Sequence, residues 1–548
     1  MSFDARPGQD EVLAAGDPVL VVLGGAGTGK TMTAAAVVRQ MLDDARKVRS
    51  RRRALFLSFS RAADSQIIDR SADVLGKQAV YVDVTTFHAF AWRLVKRWGS
   101  AIGLPDPVLV SPSEDKLFGS PAGVTYDDLI PKALELVQVP AIKAHLQKRW
   151  AIIVSDEFQD TSRDQFDLIN RVRGAARLLL LGDLNQCIYT NLPGSIGVGP
   201  ERVQAGLELP GARKIELPDA SHRDPTNILP AAAAAIRQRN FDHEAVRIAM
   251  RSGMLEVRHT AALTDEGPVV AALIAELRDG GHESVGIFSH HVDATAALSD
   301  HLTAEGITHE IVGLPDAVTS ALQAHFEMLR YAADEGDAAL IRRALGIFVT
   351  SVERGRSAPN LARQIVGQAP APATLTSRLN DVDSALDAAE SVADVLDLIE
   401  QAPNNIGLVR GGRSWTQGFR LLVSLLGPRL CRSASFPVGG FDALQAKLSD
   451  EQAAQLTYIG TTEPADVQLM GLYQSKGREA DATIVVLREG DFYGREPEPM
   501  PTGSKLLYVV LTRARRKTIV LTLGSTLPPL IYPIALLSPT VTARAPTQ

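Results

Sequence analysis

The chain has 548 residues, which is too many for one hydrophobic core and predicts roughly three or four domains or lobes. Hydrophobic residues make up 45% of it and charged residues 22%, a composition that argues against disordered and fibrous proteins. The net charge of −6 excludes a surface coated in basic residues but is compatible with one basic groove. No run of about 18 apolar residues and no secretory leader pattern is visible, so we expect a cytoplasmic protein without a membrane partner.

Residues 19–31 form a strand, glycine loop and helix pattern. The apolar run 19–23 predicts a buried parallel strand, residues 24–31 fit G-x-x-x-x-G-K-[ST], and residues 32–41 predict a helix. Glycines in such a loop let backbone N–H groups face phosphate oxygens, and the helix N-terminus adds partial positive charge. We therefore expect nucleoside triphosphate binding, with Lys30 on the β- and γ-phosphates and Thr31 on Mg²⁺. The alternative is a glycine-rich turn without a ligand. The full eight-residue pattern between a strand and a helix disfavours it, because a simple turn needs neither the lysine nor the threonine.

Two adjacent carboxylates follow a second apolar strand, at residues 151–155. Asp156 is suited to hold Mg²⁺ through water, and Glu157 to polarise the water that attacks a phosphate. The alternative is an acidic surface turn, which the apolar strand leading into the pair disfavours. Gln186, just after the predicted strand 178–182, stands where a side-chain amide can sense a γ-phosphate. Arg223 follows another predicted strand and is weak evidence by itself.

Further polar and aromatic residues follow other predicted strands. A strand near 54–59 ends in Ser60 and Arg61, and the strand 82–86 runs into an aromatic cluster at 87–92. Ligands bind at such strand ends in open α/β sheets. The alternative for the cluster is core packing, which we favour for Phe90 and Trp92. Gln9 carries a donor and an acceptor that match the edge of adenine. The basic run 46–53 is either a solvated loop or a phosphate contact.

The order of these motifs resembles that of the UvrD/Rep-like superfamily 1 DNA helicases. The stretches that carry the resemblance are GGAGTGKT, TTFHAF, VSDEFQDTS, LGDLNQCIY, SHRDPTNIL, VQLMGLYQSKGRE and LYVVLTRA. The resemblance implies an α/β fold of two RecA-like P-loop lobes with parallel sheets and mainly helical inserted subdomains. ATP would lie between the lobes, and single-stranded DNA would cross their top.

The resemblance also implies domain boundaries. We expect the first lobe at 1–92 and 151–213, with an inserted subdomain at 93–150. We expect the second lobe at 214–349 and 456–525, with a helical accessory subdomain at 350–455 and a tail at 526–548.

Roles for individual residues follow from the same resemblance. Glu157 would be the catalytic base, Gln186 would couple the γ-phosphate to DNA, and Arg223 and Arg513 would act as arginine fingers. Nucleotide contacts would come from Gln9, Gly25, Ala26, Gly27, Thr28, Gly29, Lys30, Thr31, His222 and Glu479, and the Mg²⁺ ligands would be Thr31 and Asp156. DNA contacts would come from Ser60, Arg61, Thr86, Phe87, His88, Tyr189, Ser475 and Lys476.

The implied function is an ATP-driven 3′-to-5′ DNA helicase or translocase of repair or recombination, acting on single-stranded and tailed duplex DNA. A nuclease or a repair or defence protein is the expected partner. The alternative is a DNA-activated ATPase subunit of an anti-phage complex similar to Gabija, without processive unwinding. A nucleotide binder without hydrolysis conflicts with the complete set of catalytic residues. The chain departs from the family at His222, usually Tyr, at Arg61-Ala62, and after Tyr189, where an aromatic and an arginine are usual.

Overall fold

The computed structural model describes residues 4–58, 71–119, 123–190, 196–262, 266–290, 292–311, 316–353, 357–437, 441, 465–491 and 503–537. Ser60, Arg61 and the end of the predicted tail, 538–548, lie outside these ranges. The chain divides into two compact units. One comprises Met1–Phe90, Ala133–Gly313 and Ile459–Gln548, and the other comprises Ala91–Lys132 and Leu314–Tyr458.

The strands of the described residues are β1 (Val19–Leu23), β2 (Arg53–Ser58), β3 (Val82–Thr86), β4 (Val108–Leu109), β5 (Gly123–Val124), β6 (Trp150–Ser155), β7 (Arg177–Gly182), β8 (Ala212–Glu216), β9 (Leu255–Thr260), β10 (Val285–Ser289), β11 (Glu310–Ile311), β12 (Val467–Gly471), β13 (Ala480–Arg488) and β14 (Ala514–Leu523).

The α-helices of the same residues are α1 (Gln9–Ala14), α2 (Lys30–Lys47), α3 (Phe87–Trp98), α4 (Pro112–Phe118), α5 (Leu129–Leu136), α6 (Pro140–Arg149), α7 (Arg163–Arg173), α8 (Pro200–Leu207), α9 (Ile228–Arg237), α10 (Glu244–Arg251), α11 (Glu266–Asp279), α12 (Val292–Ala304), α13 (Asp316–Ala332), α14 (Ala338–Val352), α15 (Asn360–Ile365), α16 (Ala373–Asp387), α17 (Val392–Ile406), α18 (Gly412–Cys431, broken at Gly427), α19 (Gly503–Leu511) and α20 (Tyr532–Ala535).

The first lobe is built on a parallel sheet with the strand order β3-β2-β6-β7-β1-β8. Every residue of β1 is buried, as its unbroken apolar run predicts for a strand covered on both faces. Helix α2 packs Ala35 and Val38 onto one face of the sheet. Because all strands run in the same direction, their carboxyl ends share one edge. That edge carries the glycine loop after β1, the carboxylates after β6 and the turn after β7.

The second lobe is a further parallel sheet, with the order β11-β12-β10-β13-β14-β9. Helices α11 and α12 contribute to the core on one face, and α9, α10 and α19 contribute to the core on the other. The latter core also contains Ala26 and Ile188 of the first lobe, so the two lobes pack directly within one compact unit. The predicted α/β fold with two parallel-sheet lobes is confirmed.

The other compact unit is mainly helical. Its core is formed by α13 to α18 together with Leu117 of α4. Trp415 of α18 is buried in this core, and its indole N–H donates to the Ile399 carbonyl oxygen at 2.8 Å. The Trp415 ring also meets the ring of His325 at 4.2 Å between centroids. A small parallel ladder of β4 and β5 belongs to the same unit.

The structure moves four of the predicted boundaries. The second lobe extends beyond residue 525, because Leu527, Leu530 and Ile534 of the predicted tail 526–548 belong to its core. Strand β8 pairs with β1 in the first sheet, so the second lobe begins later than residue 214. Helices α13 and α14 pack in the helical unit because their apolar faces join its core, so that unit begins near 314 rather than 350. The first insert is shorter than the predicted 93–150, because α6 packs on α7 of the first lobe. The Gln147 side-chain amide of α6 donates to the Arg171 carbonyl oxygen of α7 at 3.0 Å.

Among the described residues, no helix is both long enough and apolar enough to cross a bilayer.

Candidate nucleotide site

The glycine loop leaves β1 and enters α2 through Gly29, whose φ of 84° is in the left-handed region. A Cβ atom at this position would lie 2.7 Å from the Gln9 side-chain nitrogen, so glycine is needed both for conformation and for space. The Lys30 ammonium donates to the carbonyl oxygens of Gly24 at 2.6 Å and Gly25 at 3.0 Å. The loop is therefore folded around the cation that the sequence assigns to phosphate binding.

One side of the loop gathers the residues predicted to meet the adenine. The Gln9 amide Nε2 donates to the Thr28 carbonyl oxygen at 3.1 Å and lies 3.3 Å from the His222 Nε2. The backbone N–H of His222 donates to the Gly27 carbonyl oxygen at 2.7 Å. Gln9 is buried, whereas the His222 ring is exposed beside it. On this side of the loop, the Gln9 amide and the exposed face of the His222 imidazole are therefore available to a planar group such as adenine.

The metal ligands predicted from the sequence lie in direct contact. The Thr31 hydroxyl donates to Asp156 Oδ2 at 3.0 Å. Burial, together with the adjacent Glu157 charge, raises the pKa of Asp156 to about 6. Two hard oxygen donors beside a phosphate loop fit Mg²⁺, which takes few protein ligands and completes its shell with water and substrate phosphates.

Glu157 follows Asp156 with a φ of 50°, a left-handed conformation that is uncommon for a residue with a side chain. Its Oε2 accepts from the Gln159 amide at 2.7 Å and lies 3.4 Å from the Lys476 ammonium of the second lobe. Burial alone would raise the pKa of Glu157, but the charges of Lys476 and Lys30 outweigh it and hold that pKa below its usual range. The group is therefore ionised at neutral pH, as a base must be.

Gln186 connects the two lobes. Its Nε2 donates to Asp183 Oδ2 at 2.8 Å, and its Oε1 accepts from Arg513 at 3.1 Å. Arg513 precedes β14 of the second lobe and is 3% exposed. Burial and the nearby charge of Arg223 lower the pKa of Arg513 to about 10, which leaves the guanidinium charged at neutral pH.

Arg223 also joins the two sheets at the loop. A Cβ atom at Gly27 would lie 3.3 Å from Arg223 Cβ, which places Arg223 next to the phosphate loop. Its guanidinium donates to the Thr512 carbonyl oxygen and pairs with Glu479, the residue predicted to hold the ribose. Arg223, Arg513 and Glu479 thus converge on one side of the first-lobe site.

Two residues of the site are absent from the sequence-based assignment. The Tyr508 hydroxyl accepts from the Ala26 N–H at 3.2 Å and donates to Asp183 at 3.3 Å, linking helix α19 to the phosphate loop. Asp160 pairs with Lys476 in the buried lobe interface. Both residues stand inside the motifs quoted above, but their partners lie hundreds of residues away, and local spacing carries no signal for them.

The predicted DNA contacts are less uniform. Phe87, Ser475 and Lys476 are 2%, 0% and 3% exposed, and the Lys476 ammonium pairs with the carboxylates of Glu157 and Asp160. In this conformation, these three side chains are therefore too buried to contact DNA directly. The Thr86 side chain is buried, and its hydroxyl accepts from the backbone N–H of Ala89 at 3.1 Å.

The other two described DNA candidates are partly buried. Burial lowers the pKa of His88 to about 4, so its imidazole is neutral at pH 7. The Tyr189 hydroxyl donates to the Tyr473 carbonyl oxygen at 2.8 Å, and the two rings lie 6.0 Å apart between centroids.

Fold and site together define a P-loop nucleotide-binding protein with two parallel-sheet lobes. Residues 9–191 match a family model described as an AAA domain. DNA helicase II of Escherichia coli K12 is 26% identical over 295 residues, which cover 42% of this chain and 40% of that protein. These matches and the ordered motifs together show that the chain is similar to the UvrD-like superfamily 1 helicases.

Two further relatives match different lengths of the chain. ATP-dependent DNA helicase UvrD1 of Mycobacterium tuberculosis H37Rv is 24% identical over 415 residues, 61% of this chain and 53% of that protein. RecBCD enzyme subunit RecB of Mycolicibacterium smegmatis is 43% identical over 75 residues, 13% of this chain and 7% of that protein. The chain thus spans about half, or less, of the length of these curated relatives.

Proposed function

We propose that the protein is an ATP-dependent DNA motor that hydrolyses ATP between its two lobes and moves 3′ to 5′ along single-stranded DNA. The observation that carries the proposal is the contact of Arg513, from the second lobe, with Gln186 beside the phosphate loop. A cation from one lobe and a phosphate loop from the other make hydrolysis dependent on lobe closure. The relatives named DNA helicases support DNA as the track.

In the proposed reaction, the phosphate loop and Lys30 hold the triphosphate, while Gln9 and His222 meet the adenine. Mg²⁺ would be held by Thr31 and Asp156 and would neutralise phosphate charge. The ionised Glu157 accepts a proton from the attacking water. Arg513 and Arg223 stabilise the charge that develops on the phosphate oxygens. Glu479 would exchange its present partner Arg223 for the ribose hydroxyls when nucleotide binds.

The position of Lys476 supports the proposal that DNA binding is coupled to ATP hydrolysis. It belongs to the motif that the resemblance assigns to DNA, yet its ammonium lies 3.4 Å from the catalytic Glu157 and 2.9 Å from the Gln186 carbonyl oxygen. A shift of this segment on DNA binding would move a positive charge relative to the base. We therefore propose that single-stranded DNA changes the rate of hydrolysis through Lys476 rather than through a side-chain contact with DNA alone.

A second candidate function is a DNA-activated ATPase within a defence or repair complex. It is favoured by the segment after Tyr189, which lacks the family's usual aromatic and arginine and so weakens base stacking. The Tyr189 side chain itself is held in the lobe interface by Tyr473. The match to a relative named as a subunit of the RecBCD enzyme suits a chain that works with a partner protein such as a nuclease.

An unwinding assay on tailed duplexes distinguishes the DNA motor from the DNA-activated ATPase. With ATP, we expect the protein to separate a duplex with a 3′ single-stranded tail and to leave duplexes with a 5′ tail or no tail intact, as measured by release of a labelled strand. Unwinding from the 5′ tail would contradict the proposed direction. ATP turnover on single strands without unwinding of any substrate would replace the helicase with the second candidate.

A further inference from the structure

Basic side chains are concentrated at the amino-terminal edge of the first sheet, opposite the edge that carries the phosphate loop. They come from the end of α2 and the loop before β2, residues 46–53, and from α6 before β6. In a parallel sheet the amino ends of neighbouring strands share one edge, so β2 and β6 bring these segments together. We call this surface the basic edge. Its cations are Arg46, Lys47, Arg49, Arg51, Arg52, Arg53, Lys143, Lys148 and Arg149.

The centre of the basic edge is preorganised by one carboxylate. Asp83 of β3 accepts from Arg53 at 2.6 Å through Oδ1 and from Arg149 at 3.0 Å through Oδ2. These two arginines, with His145 and Lys148, line a cleft of about 340 Å³. Fixed guanidinium groups around an open cleft lose little conformational freedom on binding an anion, which favours phosphate recognition.

The rest of the basic edge is exposed and short of counter-charges. Arg49, Arg51 and Arg52 are exposed, and none of them forms an ion pair with any residue that the structure describes. Among the described residues, the ion pairs of the basic edge are those of Arg53 and Arg149 with Asp83 and of Lys47 with Asp44. The basic edge is thus strongly positive in a chain whose net charge is −6, and such a local excess indicates a surface that binds a polyanion.

We propose that the basic edge binds the phosphate backbone of duplex DNA, at a site separate from the path proposed for the single strand. Single-strand sites usually offer aromatic rings on which bases stack. Here the Tyr81 ring is covered by the Arg46 guanidinium at 3.7 Å, and Trp150 is 1% exposed. Duplex recognition through phosphates needs only cations distributed over a surface, which the basic edge supplies. The site requires neither ATP nor hydrolysis.

The test compares two triple variants with the same change in charge. The first replaces Arg49, Arg51 and Arg52 by glutamine. The control replaces Arg278, Arg363 and Arg413, three exposed arginines elsewhere, by glutamine. Affinity for a blunt 20-base-pair duplex is measured by fluorescence anisotropy without nucleotide, at several salt concentrations, and ATP turnover on single-stranded DNA is measured in parallel.

We expect the first variant to bind duplex at least about tenfold more weakly at 0.1 M salt, with a salt slope about 2 to 3 smaller, because each lost phosphate contact removes about 0.9. Its turnover on single strands should match that of the control variant, whose duplex affinity should remain near wild type. Equal duplex affinity for the two variants would overturn the proposal. Displacement of duplex by polyglutamate at equal charge concentration would overturn it too, by assigning the surface to an acidic protein.

Discussion

Replacing Arg513 by alanine is expected to lower kcat for ATP about 10³-fold while the Kd for ATP stays within about threefold, as removal of an arginine finger does in other nucleoside triphosphatases. The physical reason is the position of its charge. Arg513 is 3% exposed and hydrogen-bonded to Gln186, so the guanidinium acts in a site that excludes water. A loss of about 4 kcal/mol of transition-state stabilisation corresponds to that change in rate.

Two companion variants separate catalysis from folding. Arg513→Lys keeps the charge but loses the planar fork, so it should recover only part of the rate. Arg516→Ala changes an exposed arginine, bonded to the Gly281 carbonyl oxygen, and should turn over ATP like wild type. Equal melting temperatures would show that the variants are folded. A loss of ATP affinity with unchanged kcat in Arg513→Ala would contradict the finger role.

The Glu157→Gln variant is expected to lose about 10² to 10⁴ of kcat, the usual contribution of a positioned base. Glutamine has the same shape, and its side-chain oxygen can still accept from Gln159, so the loop and the ATP site should remain intact. What disappears is the carboxylate charge that Lys476 and Lys30 maintain by lowering its pKa. ATP binding, measured by fluorescence with a labelled nucleotide, should be unchanged.

A matched control for this variant is Glu201→Gln on the exposed surface of α8, which should retain full activity. If Glu157→Gln kept more than about a tenth of wild-type kcat, the base would have to be another group, because a positioned base contributes at least about 10²-fold. Loss of ATP binding together with kcat would instead assign Glu157 a role in holding the nucleotide.

Much of the fold could be predicted from apolar runs. The buried strands β1, β6 and β7 match the apolar runs that predict strands at 19–23, 151–155 and 178–182. The predicted boundary between 213 and 214 divides the edge strand β8, because the residue pattern of that strand does not reveal that it pairs with β1. The sequence also does not indicate that the two inserted segments form one unit, because contacts such as that of Ser113 with Asp316, 2.7 Å apart, join residues distant in the chain.

The candidate site divides in the same way. The phosphate loop and the pair Asp156 and Glu157 are local patterns whose chemistry follows from residue type and spacing. The linkage of Tyr508 to Ala26, and of Lys476 to Asp160, depends on how the second lobe packs against the first, which no local pattern encodes. The role of Glu157 in hydrolysis and the role of Lys476 in coupling DNA binding to hydrolysis are predictions.

ATP hydrolysis that depends on the phosphate loop and on DNA is tested by steady-state ATP turnover with and without single-stranded DNA, for the wild-type chain and for Lys30→Ala. We expect DNA to raise kcat of the wild-type chain and Lys30→Ala to abolish turnover in both conditions. Turnover that responds neither to DNA nor to Lys30→Ala would contradict this dependence.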